Sequence, residues 1–179
     1  MPLTDALFDG YELPAAPEPE PTKWTERMVL DLLNRRYDVR VGNGERYARA
    51  EHVRSGAGFD ASRTADFIAM DLWPSKGLRL HGHEVKVSRS DWLTELRDPS
   101  KAEEFKRFMD HWWLVVSDRG IVRDDLPDGW GLMAPDASGR LRVVKSAPKL
   151  KAEPMPRTMW AALLRAVGKT AVREAKRCH

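Results

Sequence analysis

Cysteine is almost missing: Cys178 is the only one in 179 residues. That excludes an intramolecular disulfide framework and a cysteine-based zinc cluster, and it fits a reducing compartment. No run approaches the roughly 18 consecutive apolar residues of a membrane span. The first residues also lack the basic start and apolar stretch of a secretion signal. The expectation is a cytoplasmic protein, and a twofold excess of Arg over Lys, 20 against 10, hints at a GC-rich bacterial or phage genome. What is present, 42% apolar and 32% charged residues, describes a globular chain with room for one proper core.

The net charge of +3 conceals three unlike segments. Residues 1–22 hold five acids and no Lys or Arg, with a Pro/Glu/Ala stretch that has little to bury, and read as a flexible acidic arm. Residues 23–146 form the expected domain. Residues 147–179 read as a Pro-punctuated linker and a basic helix packed on or beside that domain. From Lys145 to the end there are nine basic and two acidic residues, a balance that favours a polyanion and equally describes a solvated helix.

Periodicity predicts a helix over about 25–37, capped by Thr22 or Thr25, with Glu26 near the edge of the core-facing stripe of Leu30, Leu33 and Tyr37. Short strand pieces follow to Val53, then a loop through "RSGAGFDAS". A buried strand is predicted over 64–73 and a second, at hairpin distance, over 78–87. Ser88 with Asp91, and Ser100 with Glu103, predict two helices, the second over 101–110. "HWWLVVSD" (111–118) reads as a central strand covered on both faces, with Trp112 and Trp113 in the core. Two strands around an Asp-Ala-Ser-Gly turn and a last helix with Trp160, Leu163, Leu164, Val167 and Val172 apolar complete an α/β or α+β domain with a mixed sheet.

Chemistry concentrates at Asp66 and Glu84-Val85-Lys86. Three Glu-x-Lys pairs occur, but Glu104/Lys106 and Glu174/Lys176 fall on predicted helices, where residues two apart diverge. Glu84 and Lys86 fall on a strand and project from one face. A hairpin sets Asp66 beside Glu84, and the first helix can bring Glu26 over the same end of the sheet. Like charges about 4 Å apart repel by about 4 kcal/mol at an effective dielectric near 20, so convergence calls for a cation or for protons. Oxygen donors favour Mg²⁺ or Mn²⁺ over zinc. The alternative, a surface Glu84/Lys86 pair worth at most about 1 kcal/mol, stays open on spacing alone. His81 and His83 lack a third ligand at zinc spacing and read as structural or surface residues.

These residues resemble the PD-(D/E)XK nuclease superfamily: Glu26 on an opening helix, Asp66 in "TADF", then "HEVK" and a following helix. The longer run from "EVKVSRSDW" through "MDHWWLVVSD" to "LPDGWGLMAPDASGRLRVVKSAPKL" is similar to MmcB-like DNA-repair proteins of that superfamily, over about residues 24–150. The resemblance implies a restriction-endonuclease-like core with Asp66 and Glu84 as metal ligands, joined by the Val85 carbonyl. It also implies Lys86 as the catalytic lysine and Glu26 as the first-helix carboxylate. The proline of the family motif is replaced by Ala65. The further polar residue expected on the next helix is Lys101, with Lys106 in reserve.

The function expected is Mg²⁺- or Mn²⁺-dependent hydrolysis of DNA phosphodiesters in repair, recombination or replication. Arg89, Lys101, Lys106, Arg165, Lys169 and Arg173 are the expected phosphate contacts. Two alternatives use the same fold: a DNA-binding accessory protein that cuts poorly or only with a protein partner, and an RNA nuclease.

Overall fold

The computed structural model describes residues 23–42, 44–55 and 63–177. The acidic arm, Thr22, most of the "RSGAGFDAS" loop and Cys178 lie outside the described residues. The fold is α+β. Six strands form a mixed sheet in the order β3-β4-β5-β6-β7-β8: β3 (Tyr47–Arg54), β4 (Thr64–Asp71), β5 (Leu80–Lys86), β6 (His111–Val116), β7 (Trp130–Pro135) and β8 (Leu141–Lys145). A two-stranded ribbon, β1 (Arg40–Val41) and β2 (Gly44–Glu45), precedes it. No helix among the described residues is long and apolar enough to cross a membrane.

Helix α1 (Glu26–Tyr37) starts where the Thr25 hydroxyl accepts the Met28 N–H at 3.3 Å, which satisfies one of the donors a helix start leaves over. Its stripe of Val29, Leu30, Leu33 and Tyr37 packs on Phe67, Ala69, Val85, Val115 and Met133. Each such side chain contributes about 1.5–3 kcal/mol by leaving water. The other face of the sheet is covered by α2 (Arg89–Arg97), α3 (Ser100–Lys106) and the first half of α4 (Arg157–Arg177).

Strand β6 pairs in parallel with β5 and β7 and is buried on both faces, as its unbroken apolar run predicts. Its two tryptophans face opposite ways, each over a glycine of a neighbouring strand: Trp112 over Gly82 and Trp113 over Gly131. A methyl group at either glycine would overlap the ring, so neither position tolerates a side chain without repacking.

Three expectations need correction. Strand β4 ends at Asp71 rather than residue 73, because the Asp71 carboxylate turns back to accept the Trp73 N–H at 3.1 Å. Helix α3 spans Ser100–Lys106 without a side-chain cap; Ser100 is its first residue and donates to Asp98 instead. On α4 the buried stripe is Met159, Ala162, Leu163, Ala166 and Thr170, while Leu164 and Val172 are exposed. Small residues let α4 lie close along β3, the edge strand, where the Thr170 hydroxyl accepts the Glu51 N–H at 3.0 Å. A helix thus covers an edge that would otherwise present an unpaired donor.

Candidate functional site

The hairpin of β4 and β5 is antiparallel, and its last pair is Phe67 with His83. One step further stand Asp66 and Glu84. Regular pairing stops there, and Asp66 Oδ2 accepts the Val85 N–H at 2.8 Å in place of a backbone carbonyl. On the other side of Asp66, His52 of β3 occupies the opposing position between the pairs Glu51/Phe67 and Val53/Ala65. His52 has a left-handed backbone, φ 49°. Ala50 and Val53 both enter the core beneath α2–α4, although residues three apart on a regular strand face opposite ways. Ala65 and Ile68 do the same. The alternation of both strands therefore shifts at His52 and Asp66, and His52, Asp66 and Glu84 form a row across three neighbouring strands.

Two groups of side chains meet on this row. Toward α1, ligand atoms of Glu26, His52 and Asp66 all lie within 4.8 Å of one another, with Glu26 Oε1 3.8 Å from His52 Nδ1. Toward α2, Lys86 Nζ pairs with Glu84 and, at 3.2 Å, with Glu95. Glu84 stands outside the first trio, its carboxylate turned to Lys86. Burial pushes the Asp66 carboxyl up, against the Val85 N–H and the Lys86 ammonium, which pull it down. Burial, followed by the neighbouring Asp66, pushes Glu84 up to about 8. Burial also works against the charge of Lys86, but Glu84, Asp66 and Glu95 outweigh it and raise its pKa, so it stays an ammonium ion. With one buried ammonium facing three carboxylates, the site is short of positive charge.

Glu26, Asp66, Glu84 and Lys86 are thus brought to one end of the sheet. Val85 joins them through its N–H. Lys101 lines a cavity of about 280 Å³ with Arg63, Thr64, Glu84 and Glu95. Lys106 pairs with Glu103 at 2.6 Å and is not part of that lining. Arg89 is held by the Ile121 carbonyl at 2.8 Å and by Asp125 at 2.5 Å. Arg173 pairs with the buried Glu51. Among the expected phosphate contacts these three are therefore occupied by the fold. Arg165 and Lys169 are exposed, make no ion pair among the described residues, and line a groove of about 340 Å³ that also includes His52.

Sequence reasoning missed His52 and Glu95. Glu95 was accessible: it stands three residues after Trp92 on the same helical face, and a carboxylate at a core-facing position is a signal. His52 carried no pattern, since only the left-handed backbone turns it toward Glu26. His83 is buried between the Tyr37 hydroxyl at 2.9 Å and the Phe67 carbonyl at 3.2 Å, and His81 stacks on His111.

Fold and site together define an α+β protein with a carboxylate and lysine cluster where two sheet strands part. No family model and no curated protein matches the chain. Among solved structures, a protein of unknown function from Silicibacter pomeroyi is similar, with 21% sequence identity and a TM-score of 0.50 over 73% of this chain and 78% of that one. That likeness concerns the fold alone.

Proposed function

We propose that the protein is a Mg²⁺- or Mn²⁺-dependent nuclease of the PD-(D/E)XK type that hydrolyses DNA phosphodiester bonds in repair, recombination or replication. The observation that carries this reading is the convergence of Asp66, Glu84 and Lys86 at the parting of β4 and β5, with Glu26 and His52 alongside. The donor set fits a hard dication: the groups are carboxylate oxygens and one imidazole, and burial raises the pKa of Asp66 and Glu84, as expected of carboxylates short of a cation. Asp66, Glu84 and the Val85 carbonyl are the groups that would hold the ion, with Glu26 and His52 beside Asp66 as further donors; the chemistry it would supply is Lewis-acid polarisation of the phosphate and a lower pKa for a bound water.

The remaining work falls to the chain itself. Lys86 stays protonated, so it acts as a fixed positive charge toward the oxygens of the phosphate rather than as a base. Glu95 positions that ammonium from α2. The Val85 N–H fixes the Asp66 carboxylate and leaves its second oxygen available. The resemblance in "EVKVSRSDW" and the basic C-terminal segment support DNA as the substrate. The test is cleavage of end-labelled DNA by the full chain with Mg²⁺, Mn²⁺ or EDTA. Metal-dependent cutting that disappears in Asp66→Asn and Lys86→Ala upholds the reading, and equal cutting by wild type and variants rejects the site.

One observation favours a second reading, an accessory protein that binds DNA but cuts only with a partner. Lys86 is already clamped between Glu84 and Glu95, and Glu84 is turned away from the trio of Glu26, His52 and Asp66. Salt-sensitive DNA binding without cleavage in any divalent metal would favour it.

A further inference from the structure

The row of His52, Asp66 and Glu84 has cationic side chains at both ends. At the β3 end, the groove along α4 is lined by His52 itself, Arg165 and Lys169. At the β5 end, the cavity beside Glu84 and Glu95 is lined by Lys101 of α3, together with Arg63 and Thr64 at the start of β4. Helices α3 and α4 lie on the same face of the sheet. Arg165, Lys169 and Lys101 are exposed and make no ion pair among the described residues, whereas Arg63, Arg89, Lys106 and Arg173 are spent on Glu104, Asp125, Glu103 and Glu51. Neighbouring strands are about 4.8 Å apart, so the row is about 10 Å across, a span of a few nucleotides. An acidic row repels phosphate, and unpaired cations beyond each end offset that repulsion along one line.

We propose that a single DNA strand crosses this end of the sheet from α4 to α3, held by Arg165 and Lys169 on one side of the row and by Lys101 on the other. The phosphate over Asp66 and Glu84 is then internal to the strand rather than terminal. This deepens the nuclease reading and rests on it for the identity of the substrate. It makes the protein a reader of strand interiors that needs no free end.

The experiment measures binding in EDTA, where hydrolysis plays no part. Fluorescence anisotropy over a salt series would compare a short linear single-stranded oligonucleotide with a circularised one. The full-length wild type would be set against Lys101→Gln, Arg165→Gln with Lys169→Gln, and the triple variant. Expected at about 50 mM salt is a loss of about tenfold for Lys101→Gln and about a hundredfold for the double variant, with the salt slope falling by about 0.7 per cation removed. The losses should add in the triple variant, and the circle should bind as tightly as the linear strand. Losses confined to one flank, or a circle that binds much more weakly, overturn the proposed path. If binding behaves as expected while the same DNA stays uncut in Mg²⁺ and Mn²⁺, the path stands and the hydrolytic reading falls.

Discussion

Glu51 and Glu84 lie on the same sheet, 6% and 9% exposed, yet their surroundings treat the charge in opposite ways. Burial alone would raise Glu51, but hydrogen bonds from Arg27, Arg173 and Asn34 outweigh it and hold its carboxyl at about 2. Two guanidinium groups, from α1 and α4, serve that one carboxylate. At Glu84 a single lysine faces Glu84, Glu95 and Asp66, and the carboxyl rises to about 8. The first arrangement fastens α1, β3 and α4 together, and the second leaves charge unbalanced in a cleft. A buried carboxylate with a surplus of cations is a structural clasp, and one with a deficit is a candidate binding site.

The largest effect should come from the unbalanced side. Glu84→Gln is expected to reduce metal-dependent cleavage by about a thousandfold, about 4 kcal/mol of transition-state stabilisation, without lowering the melting temperature. The sign follows from linkage. A carboxyl whose folded pKa is raised contributes stability below its unfolded pKa and loses it as pH rises toward about 8. The melting temperature of Glu84→Gln should therefore gain on that of wild type between pH 5 and pH 8, in the same window where the site should take up metal more readily. A variant that melts lower than wild type at pH 8 would place Glu84 among the structural carboxylates.

Glu51→Gln tests the other side. It leaves Arg27 and Arg173 beside a neutral amide, and about 3–5 kcal/mol of stability should go with the pair. For a chain of this size that lowers the melting temperature by roughly 10 °C. Calorimetry checks it, and a shift of only a degree or two would show that the clasp is not what holds α4.

Most of the fold was legible because its signals are local. The stripe of α1, the unbroken apolar run of β6 and the Ser88 cap each need only neighbouring residues, and each forms as expected. The candidate site was legible as far as strand alternation reaches, which is Asp66, Glu84 and Lys86. The rest depends on tertiary placement. Nothing local shows that Arg173 and Arg27 will converge on Glu51, so Arg173 reads from the sequence as a phosphate contact on a basic helix. Leu164 and Val172 fit an apolar stripe at helical spacing, but α4 lies against β3 on its small residues and leaves both outside. His52 reaches Glu26 only through a left-handed backbone that a non-glycine residue seldom adopts.

Acid titration separates the two carboxylates without any mutation. The depressed pKa of Glu51 contributes stability above its unfolded value near 4.5, and that stability is lost as pH falls through the range down to about 2. About 3 kcal/mol is at stake, because each unit of pKa difference is worth about 1.4 kcal/mol. Glu84 changes little in that range, since its folded form is already neutral and only its unfolded form, near 4.5, still titrates. Denaturant melts between pH 5 and pH 2 should show this loss in wild type and in Glu84→Gln alike, and a much smaller one in Glu51→Gln.

The smallest expected effect isolates the backbone share of the clasp. Thr170 is 3% exposed, and its hydroxyl accepts the Glu51 N–H on the covered edge of β3. Thr170→Val keeps the shape and removes the acceptor, leaving a buried N–H unpaired at a cost of about 1–2 kcal/mol. The amide of Glu51 should then exchange hydrogen faster than in wild type, while the ion pairs to Arg27 and Arg173 keep the carboxyl depressed and preserve the acid profile. If Thr170→Val flattened that profile as Glu51→Gln does, the helix would be held by the hydroxyl rather than by the two arginines, and the contrast between a compensated and an uncompensated carboxylate would lose its structural half.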